Sequence, residues 1–577
     1  MYKEFKQKFD DRPMAKICSN KGTAFELQAQ QKFLKKYVVE QEWKSLLLYH
    51  QIGSGKTCSS ITVAEEFRKF NPDYKIKVIL PARLRTNFLD ELLTPCANNI
   101  YSGDKKRINE NYDIMSFEKW KSSSAKEPKG LKSWCKEFTK NSLIIVDEVH
   151  NLIPQTYEMK KWKELTEEHR MPKGTKSGAS LLFKYMVINS HPSAKFLFMT
   201  ATPVFNSINQ LKELSEIMTP SYHVKVGDKI SDVISTFKDK VSYFPGTSPN
   251  AYPQTKYTYH KIPLSKTQDD KTYEVQQSMS DEPTPELEAF LSIQRQLSVS
   301  VYKTPTKNIE NPSEFCPKLE RLLKEINKKS TGKHLVYTSF VKQGLDVIKL
   351  LLEEQGWTRA KKGAINDDPF KTYAIWDGNT KDAEKEWIKN IVNSKDNRYG
   401  KYIRVILGSP SIKEGVSFKH IQDLHMLDPV WNTSAKTQIE GRAIRFCSHI
   451  DLPSNKRTVK VHIYKSIPRN NGKVTETCDD IIYNKVIPQK EDKIRACEEA
   501  LKEIAFDKHL FGNMYIKNDK VYEDFNIMKQ KEARVKSTCP KKRRPLLGSC
   551  LANQVNKLNP HGDECCYKVK IPKFIFK

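Results

Sequence analysis

At 577 residues the chain is too long for one hydrophobic core, and two to four domains are expected. Hydrophobic residues at 38% and charged residues at 29% exclude a disordered chain, and no apolar run approaches the length of a membrane span. Lys and Arg outnumber Asp and Glu by 98 to 69, a net +29 that points to a polyanion held through its phosphates; lysine scattered as plain solvated surface is the alternative.

Met1 to Lys6 lack an apolar signal core, so an intracellular protein with no membrane partner is expected. Residues 1–22 read as a loose lead-in. From Thr23 to Tyr37 the residues Phe25, Leu27, Phe33 and Leu34 fall at helical spacing, with Gln28, Gln30 and Gln31 among them. Leu46 to Tyr49 reads as a buried strand. It runs into His50-Gln51-Ile52-Gly53-Ser54-Gly55-Lys56-Thr57 and then an amphipathic helix, Ser59 to Phe70. A Gly-rich turn between strand and helix aims backbone N–H groups and the positive helix end at one spot, which suits a triphosphate. In that reading Gly53, Ser54 and Gly55 cradle the phosphates, Lys56 reaches the β and γ phosphates, and the Thr57 hydroxyl ligands Mg²⁺. A plain Gly-rich turn is the alternative.

Lys77 to Leu80 predicts a second strand ending at Pro81-Ala82-Arg83, and Tyr112 to Phe117 a weaker one. Ser142 to Val146 runs straight into Asp147-Glu148-Val149-His150. Its four apolar residues predict a central strand that delivers both acids at its carboxyl end, where ligands gather in parallel sheets. There Asp147 can hold Mg²⁺ and Glu148 can orient and deprotonate the attacking water, whereas a lone Asp-Glu pair would be solvated loop. Asn151 to Ser177 is charged and aperiodic, an inserted loop or short helices. Ala194 to Met199 predicts a strand delivering Thr200-Ala201-Thr202-Pro203, whose hydroxyls can link nucleotide state to a neighbouring domain.

Residues 219–316 carry many Pro, Ser and Lys and no strong strand run, and read as a connector with helical parts such as Thr284 to Val299. A second alternation begins at Gly332, with strands at Leu335 to Tyr337, Tyr373 to Trp376 and Ile403 to Gly408 and a helix at Gly344 to Glu354, so a second parallel α/β sheet is predicted. Beyond it, Gln438, Arg442 and Arg445 would share one helix face. Two guanidinium groups there suit a phosphate bearing developing charge; ordinary surface ion pairs are the alternative.

The strings GSGKT, DEVH, TAT and QIEGRAIR stand in the order seen in superfamily 2 helicases and translocases. DEVHNL at Asp147 to Leu152, EGVSF at Glu414 to Phe418 and the stretch Trp431 to His449 resemble the poxvirus nucleoside triphosphatase and the helicase subunit of the poxvirus early transcription factor. The resemblance implies an α/β fold of two tandem RecA-like domains with ATP between them, at 23–218 and 317–470, followed by a basic extension at 471–577. It implies that Lys56, Thr57, Asp147, Glu148, Gln438, Arg442 and Arg445 bind and split ATP with Mg²⁺, with Gln30 or Gln31 at the adenine edge or simply on the surface. By the same resemblance His150, Thr200 and Thr202 couple hydrolysis to movement, and Arg83, Ser116, Ser339 and Ser409 touch the nucleic-acid backbone. The implied activity is a nucleic-acid-dependent ATPase, helicase or translocase of a large DNA virus serving early transcription. Its partners would be DNA or RNA, the viral RNA polymerase and other transcription factors, in the virion and cytoplasmic viral factory or in the nucleus. A non-catalytic nucleic-acid-binding virion or transcription subunit with a vestigial ATP site is the alternative. Ser417 departs from the aspartate that many members carry two residues after the glycine matching Gly415, so the family's ribose contact is not carried over to this chain; His50 in place of Gly is shared with part of the family.

From Lys529 to Lys577 there are about four basic residues for each acidic one, including Lys541 to Arg544, a nucleic-acid clamp in preference to a nuclear address or a solvated run. Cys539, Cys550, Cys565, Cys566 and His561 could bind zinc, but without any CxxC spacing reduced, buried thiols are expected instead. The 12 cysteines as a whole predict reduced thiols and no disulfide framework.

Overall fold

The computed structural model describes residues 5, 10, 12–18, 26–102, 104–124, 130–153, 176–203, 208–218, 230–246, 248–277, 286–302, 311–328, 332–363, 370–413, 416–511, 554–558 and 564–568. They divide into two compact units. The first runs to Pro249 and takes in residues from Asp492 to 511; the second comprises 12–18, Asn250–Glu491 and a C-terminal hairpin.

The first unit is built on β1 (Ser45–His50), β2 (Lys75–Leu80), β3 (Tyr112–Ser116), β4 (Ser142–Asp147), β5 (Lys195–Thr200) and β6 (Val241–Phe244). All pair in parallel, in the order β3-β2-β4-β5-β1-β6. Every residue of β1 and β4 is buried, as a strand covered by helices on both faces requires. Alternate side chains then feed two cores. Leu47, Tyr49, Ile144 and Val146 pack on one face, and Leu46, Leu48, Leu143 and Ile145 on the other. Ile494, Cys497, Leu501 and Ala505 join the first of these cores, so residues 492–511 of the expected C-terminal extension are part of this unit.

The second unit carries β7 (Gln254–Pro263), β8 (Lys333–Tyr337), β9 (Thr358–Arg359), β10 (Thr372–Trp376), β11 (Val405–Gly408), β12 (Ile421–Met426) and β13 (Thr458–Ile467). They form a second parallel sheet in the order β7-β13-β12-β8-β11-β10-β9. Its core includes Val336, Leu351, Tyr373, Leu407 and Tyr464. Two strands, β6 and β7, fall in the stretch expected to be a connector. β7 is an edge strand, mostly exposed or half-buried, so its residues are largely polar and carry no apolar run.

Two further expectations change. Cys58 pairs with Cys96 and Cys18 with Cys447, at Cα separations of 5.2 and 5.7 Å, so the fully reduced reading is corrected. The pairs arise from tertiary proximity, Cys58 on the helix Lys56–Phe70 meeting Cys96 on the turn Pro95–Ala97, and a spacing of 38 residues has no signature in the chain. Cys135, Cys316, Cys478 and Cys497 are free and buried. The helix carrying Gln438 and Arg442 spans Thr433–Ala443 and ends at an extended Ile444, so Arg445 lies in the turn beyond it rather than on its face. Of the candidate zinc set, Cys565 and Cys566 lie on a strand, Glu564–Lys568, paired antiparallel with Gln554–Leu558; Cys539, Cys550 and His561 lie outside the described residues, as does Gly415. No helix among the described residues is long and apolar enough to cross a membrane.

Candidate active site

Because every strand of the first sheet runs the same way, their carboxyl ends gather the phosphate loop after β1, Asp147-Glu148 after β4 and Thr200 to Thr202 after β5. Gly53 and Gly55 take φ of 79° and 81°, the left-handed region that glycine enters without a Cβ penalty. Gly55 caps the helix Lys56–Phe70 without a side-chain bond, leaving the first-turn N–H groups for an anion. A Cβ on Gly55 would come within 3.3 Å of Gln31 Nε2, so the loop passes directly beneath that amide.

Lys56 Nζ donates to Glu148 Oε1 at 3.3 Å and stands 3.8 Å from Asp147 Oδ1. Glu148 is held at φ 50°, with its N–H donating to Asp147 Oδ1 at 2.9 Å. His150 Nδ1 lies 3.0 Å from Thr200 Oγ1 and 3.4 Å from Glu148 Oε2, and Thr202 N–H donates to Thr200 Oγ1 at 3.0 Å. Loop lysine, two acids, histidine and threonines thus form one continuous polar chain. The hydroxyl of Thr57 and the carboxylate of Asp147 are hard oxygen donors of the kind Mg²⁺ takes.

The two glutamines separate. Gln31 Oε1 accepts from Gln28 N–H, which fixes its amide over the phosphate loop. Gln30 is fully buried, its Nε2 3.0 Å from both His50 Nε2 and Ser242 Oγ, and so faces the core rather than a nucleotide. Ser242 in turn donates to Asp507, which also accepts from Tyr243 N–H at 2.9 Å. Burial, with Lys56 nearby, lowers His50 to about 3, and burial pushes Asp507 up to about 7. This network ties residues 492–511 to the strand entering the phosphate loop. Sequence reasoning missed Asp507, which stands far from every motif.

Arg83 is exposed in the turn Ala82–Leu84 after β2, and the Ser116 Oγ at the end of β3 accepts from Lys119 N–H. In the second unit Ser339 Oγ accepts from Arg295 Nη2 at 2.9 Å while its N–H donates to Asp428 Oδ1 at 2.8 Å. Arg295, missed in the sequence, is buried, pairs with Asp428 at 2.6 Å and lies over the rings of Phe340 and Trp431. Ser409 is buried after β11, 3.2 Å from Ser411 Oγ. Arg442 is buried; its Nε donates to Gln438 O at 3.0 Å and its Nη1 to Val416 O at 2.8 Å.

Comparison with known proteins agrees with this geometry. Residues 25–205 match the family described as type III restriction enzyme, res subunit, and residues 317–447 match the helicase conserved C-terminal domain. A candidate ATP-dependent RNA helicase, R563, of Acanthamoeba polyphaga mimivirus is 30% identical over 77% of this chain and 83% of its own length. A candidate helicase, 087L, of Invertebrate iridescent virus 3 is 26% identical over 84% of this chain, which spans about half (53%) of that relative. Nucleoside triphosphatase I of Heliothis armigera entomopoxvirus is 24% identical over 80% of this chain and 76% of its own length. With the two family models matched in turn and the first relative 30% identical over most of both chains, the chain belongs to the superfamily 2 DEAD/H-type helicases and nucleoside triphosphatases, ATP-hydrolysing P-loop enzymes related to those of the large DNA viruses.

Proposed function

We propose that the protein converts ATP hydrolysis into movement along nucleic acid during transcription of a large DNA virus. The observation that carries the reading is the unbroken polar chain from Lys56 through Glu148 and His150 to Thr200 and Thr202. Lys56 binds the β and γ phosphates. Glu148 orients the water that attacks the γ phosphorus and takes its proton, and His150 passes the loss of the γ phosphate to the threonines. Thr57 and Asp147 would hold Mg²⁺, which when bound neutralises charge on the phosphate oxygens. Gln31 contacts the adenine edge. Gln438, Arg442 and Arg445 serve the hydrolysis of ATP, while Arg83, Ser116, Ser339 and Ser409 touch the nucleic-acid backbone.

The viral kinship of the relatives supports a setting in the virion and cytoplasmic viral factory, with the viral RNA polymerase or its factors as partners. The test is ATPase turnover with single-stranded DNA, duplex DNA and RNA at one fixed salt concentration, since salt alone shifts every affinity. Stimulation by at least one of them, with copurification of the viral RNA polymerase, is expected. Turnover indifferent to all three removes the translocase reading.

A further inference from the structure

The second sheet has another end. All seven of its strands are parallel, so their amino termini line one rim, away from the carboxyl ends that carry Ser339 and Ser409. Three connections meet there: Phe370-Lys371 before β10, residues 395–404 before β11 and residues 454–457 before β13. We propose that this rim is a separate binding surface for single-stranded nucleic acid, with Lys401 and Lys456 taking phosphates and Tyr402 stacking on bases.

The central loop is rigid. Asn397 is fully buried, and its Oδ1 accepts from Tyr402 N–H at 2.8 Å and Ile403 N–H at 3.1 Å while its Nδ2 donates to Ile403 O at 3.0 Å. Gly400 turns the chain at φ 86°, where a Cβ would meet the Arg404 backbone at 3.1 Å. The neighbouring connections are tied to it, Phe370 N–H donating to Lys401 O at 3.2 Å and Lys456 Nζ lying 4.9 Å from the Tyr399 ring centre. Arg398 covers the same ring at 5.1 Å, and Lys401 Nζ lies 5.4 Å from the ring of Tyr402.

Exposure decides between a solvated lysine face and a binding surface. Lysines alone need no aromatic rings beside them, yet Phe370 is 41% and Tyr402 45% exposed, and the fold spends a buried asparagine and an obligatory glycine to present the loop. Among the described residues of these three connections Asp396 is the carboxylate, and Asp451 beside them is paired with Lys395 at 3.3 Å and His420 at 3.1 Å, so cations outnumber acids there. Aromatic rings interleaved with cations take the π-faces of unpaired bases whatever the sequence, while a duplex hides those faces. The partner is therefore a single strand.

The test is fluorescence anisotropy of the full chain, without ATP, on a labelled oligothymidylate and on a duplex of equal length at several salt concentrations; read without ATP, it stands apart from the translocase reading. Tyr402→Ala should weaken the single strand by roughly 5- to 100-fold and leave the duplex unchanged. Lys401→Ala with Lys456→Ala should make the logarithmic salt dependence shallower by about 0.7 for each lysine removed. Thermal melting at the wild-type temperature certifies the fold of each variant. Unchanged single-strand affinity and salt dependence overturn the proposal, as does an equal loss on both substrates for Tyr402→Ala.

Discussion

The ammonium of Lys56 lies 3.3 Å from a carboxylate oxygen of Glu148, and Glu148 holds its backbone in the left-handed region to meet it. A non-glycine residue at φ 50° costs on the order of 1 kcal/mol or more, a strain found where side-chain aim matters more than stability. Glu148→Gln keeps shape and position but cannot take a proton, so kcat should fall by about 10² to 10⁴ with ATP binding retained. Lys56→Ala should lose both turnover and ATP affinity. Steady-state ATPase kinetics with a nucleotide-binding assay separates the two; kcat within about threefold of wild type in Glu148→Gln would remove the base assignment.

Asp507 is the anchor that brings residues 492–511 back to β6. Removing it in Asp507→Ala leaves the buried Tyr243 N–H and Ser242 hydroxyl without their acceptor, a loss of about 1–3 kcal/mol for each such group and a lower Tm. The pH dependence has a definite sign. Burial raises Asp507 to about 7 from 3.8, so the folded chain keeps a proton there that the unfolded chain has released. The stability this lends is complete below about 4 and is lost as pH rises through 7. Asp507→Asn, which never ionises, should gain on the wild type across that window in melts run from pH 4 to 8. A constant difference would mean that the carboxyl is not buried as described.

Across the second sheet four histidines run in a row with the opposite sign. His260 Nε2 lies 3.0 Å from His462 Nδ1, His334 Nδ1 3.0 Å from His425 Nε2, and the rings of His425 and His462 stack at 4.6 Å. Asp423, Tyr464, Glu325, Arg321, Lys328 and Arg404 face the row. Burial, with the histidines opposing one another's charge, holds His260 and His334 at about 4 and pushes His425 well below its ordinary value. The unfolded chain therefore takes up protons below about 6.5 that His260, His334 and His425 refuse in the native state, and stability falls from there toward pH 4. His425→Gln should flatten the acid limb of a Tm-versus-pH curve; an unaltered limb would place the sensitivity elsewhere.

Both sheets and the polar chain of the first unit were legible because their strands are short apolar runs ending in chemically specific strings, as Ser142 to Val146 ends in Asp147-Glu148. β7 was hidden because an edge strand with polar, partly exposed residues has no apolar signature. Asp507 and Arg295 were hidden for another reason: each acts on a motif more than 40 residues away in the chain, and nothing local marks a buried charge until its partner is known. The glutamines show the limit of spacing alone. Adjacent on one helix, Gln31 meets the phosphate loop while Gln30 turns into the core, because successive helical residues face about 100° apart.

The Cys58–Cys96 pair closes a loop of 38 residues beginning next to Thr57. Chain-entropy reasoning gives such a loop about 4 kcal/mol, so reductant should lower the Tm of the oxidised wild type markedly and that of Cys58→Ser far less. Peptide mapping without reductant should recover the two cysteines in one linked species; their recovery as separate free thiols from oxidised protein would contradict the pairing.

Arg442 and Arg445 differ in what holds them. Arg442 is buried, with its guanidinium donating to the Val416 and Gln438 carbonyls, and its own carbonyl accepts from Phe418 N–H at 2.9 Å, so it staples the 416–418 strand entry to the helix Thr433–Ala443. Arg445 stands past the helix end, half-buried in the following turn. Losing Arg442 must then unsettle the second unit, whereas losing Arg445 should cost less stability and act more on rate, an arginine finger being worth roughly 10³ to 10⁵ there. Arg442→Ala is expected to lower Tm and kcat together, and Arg442→Lys to recover little because a point ammonium cannot span both carbonyls. Arg445→Ala is expected to keep more of the wild-type Tm than Arg442→Ala does and to lose kcat with KM nearly unchanged. The reverse pattern, a stable Arg442→Ala and a destabilised Arg445→Ala, would exchange the two roles.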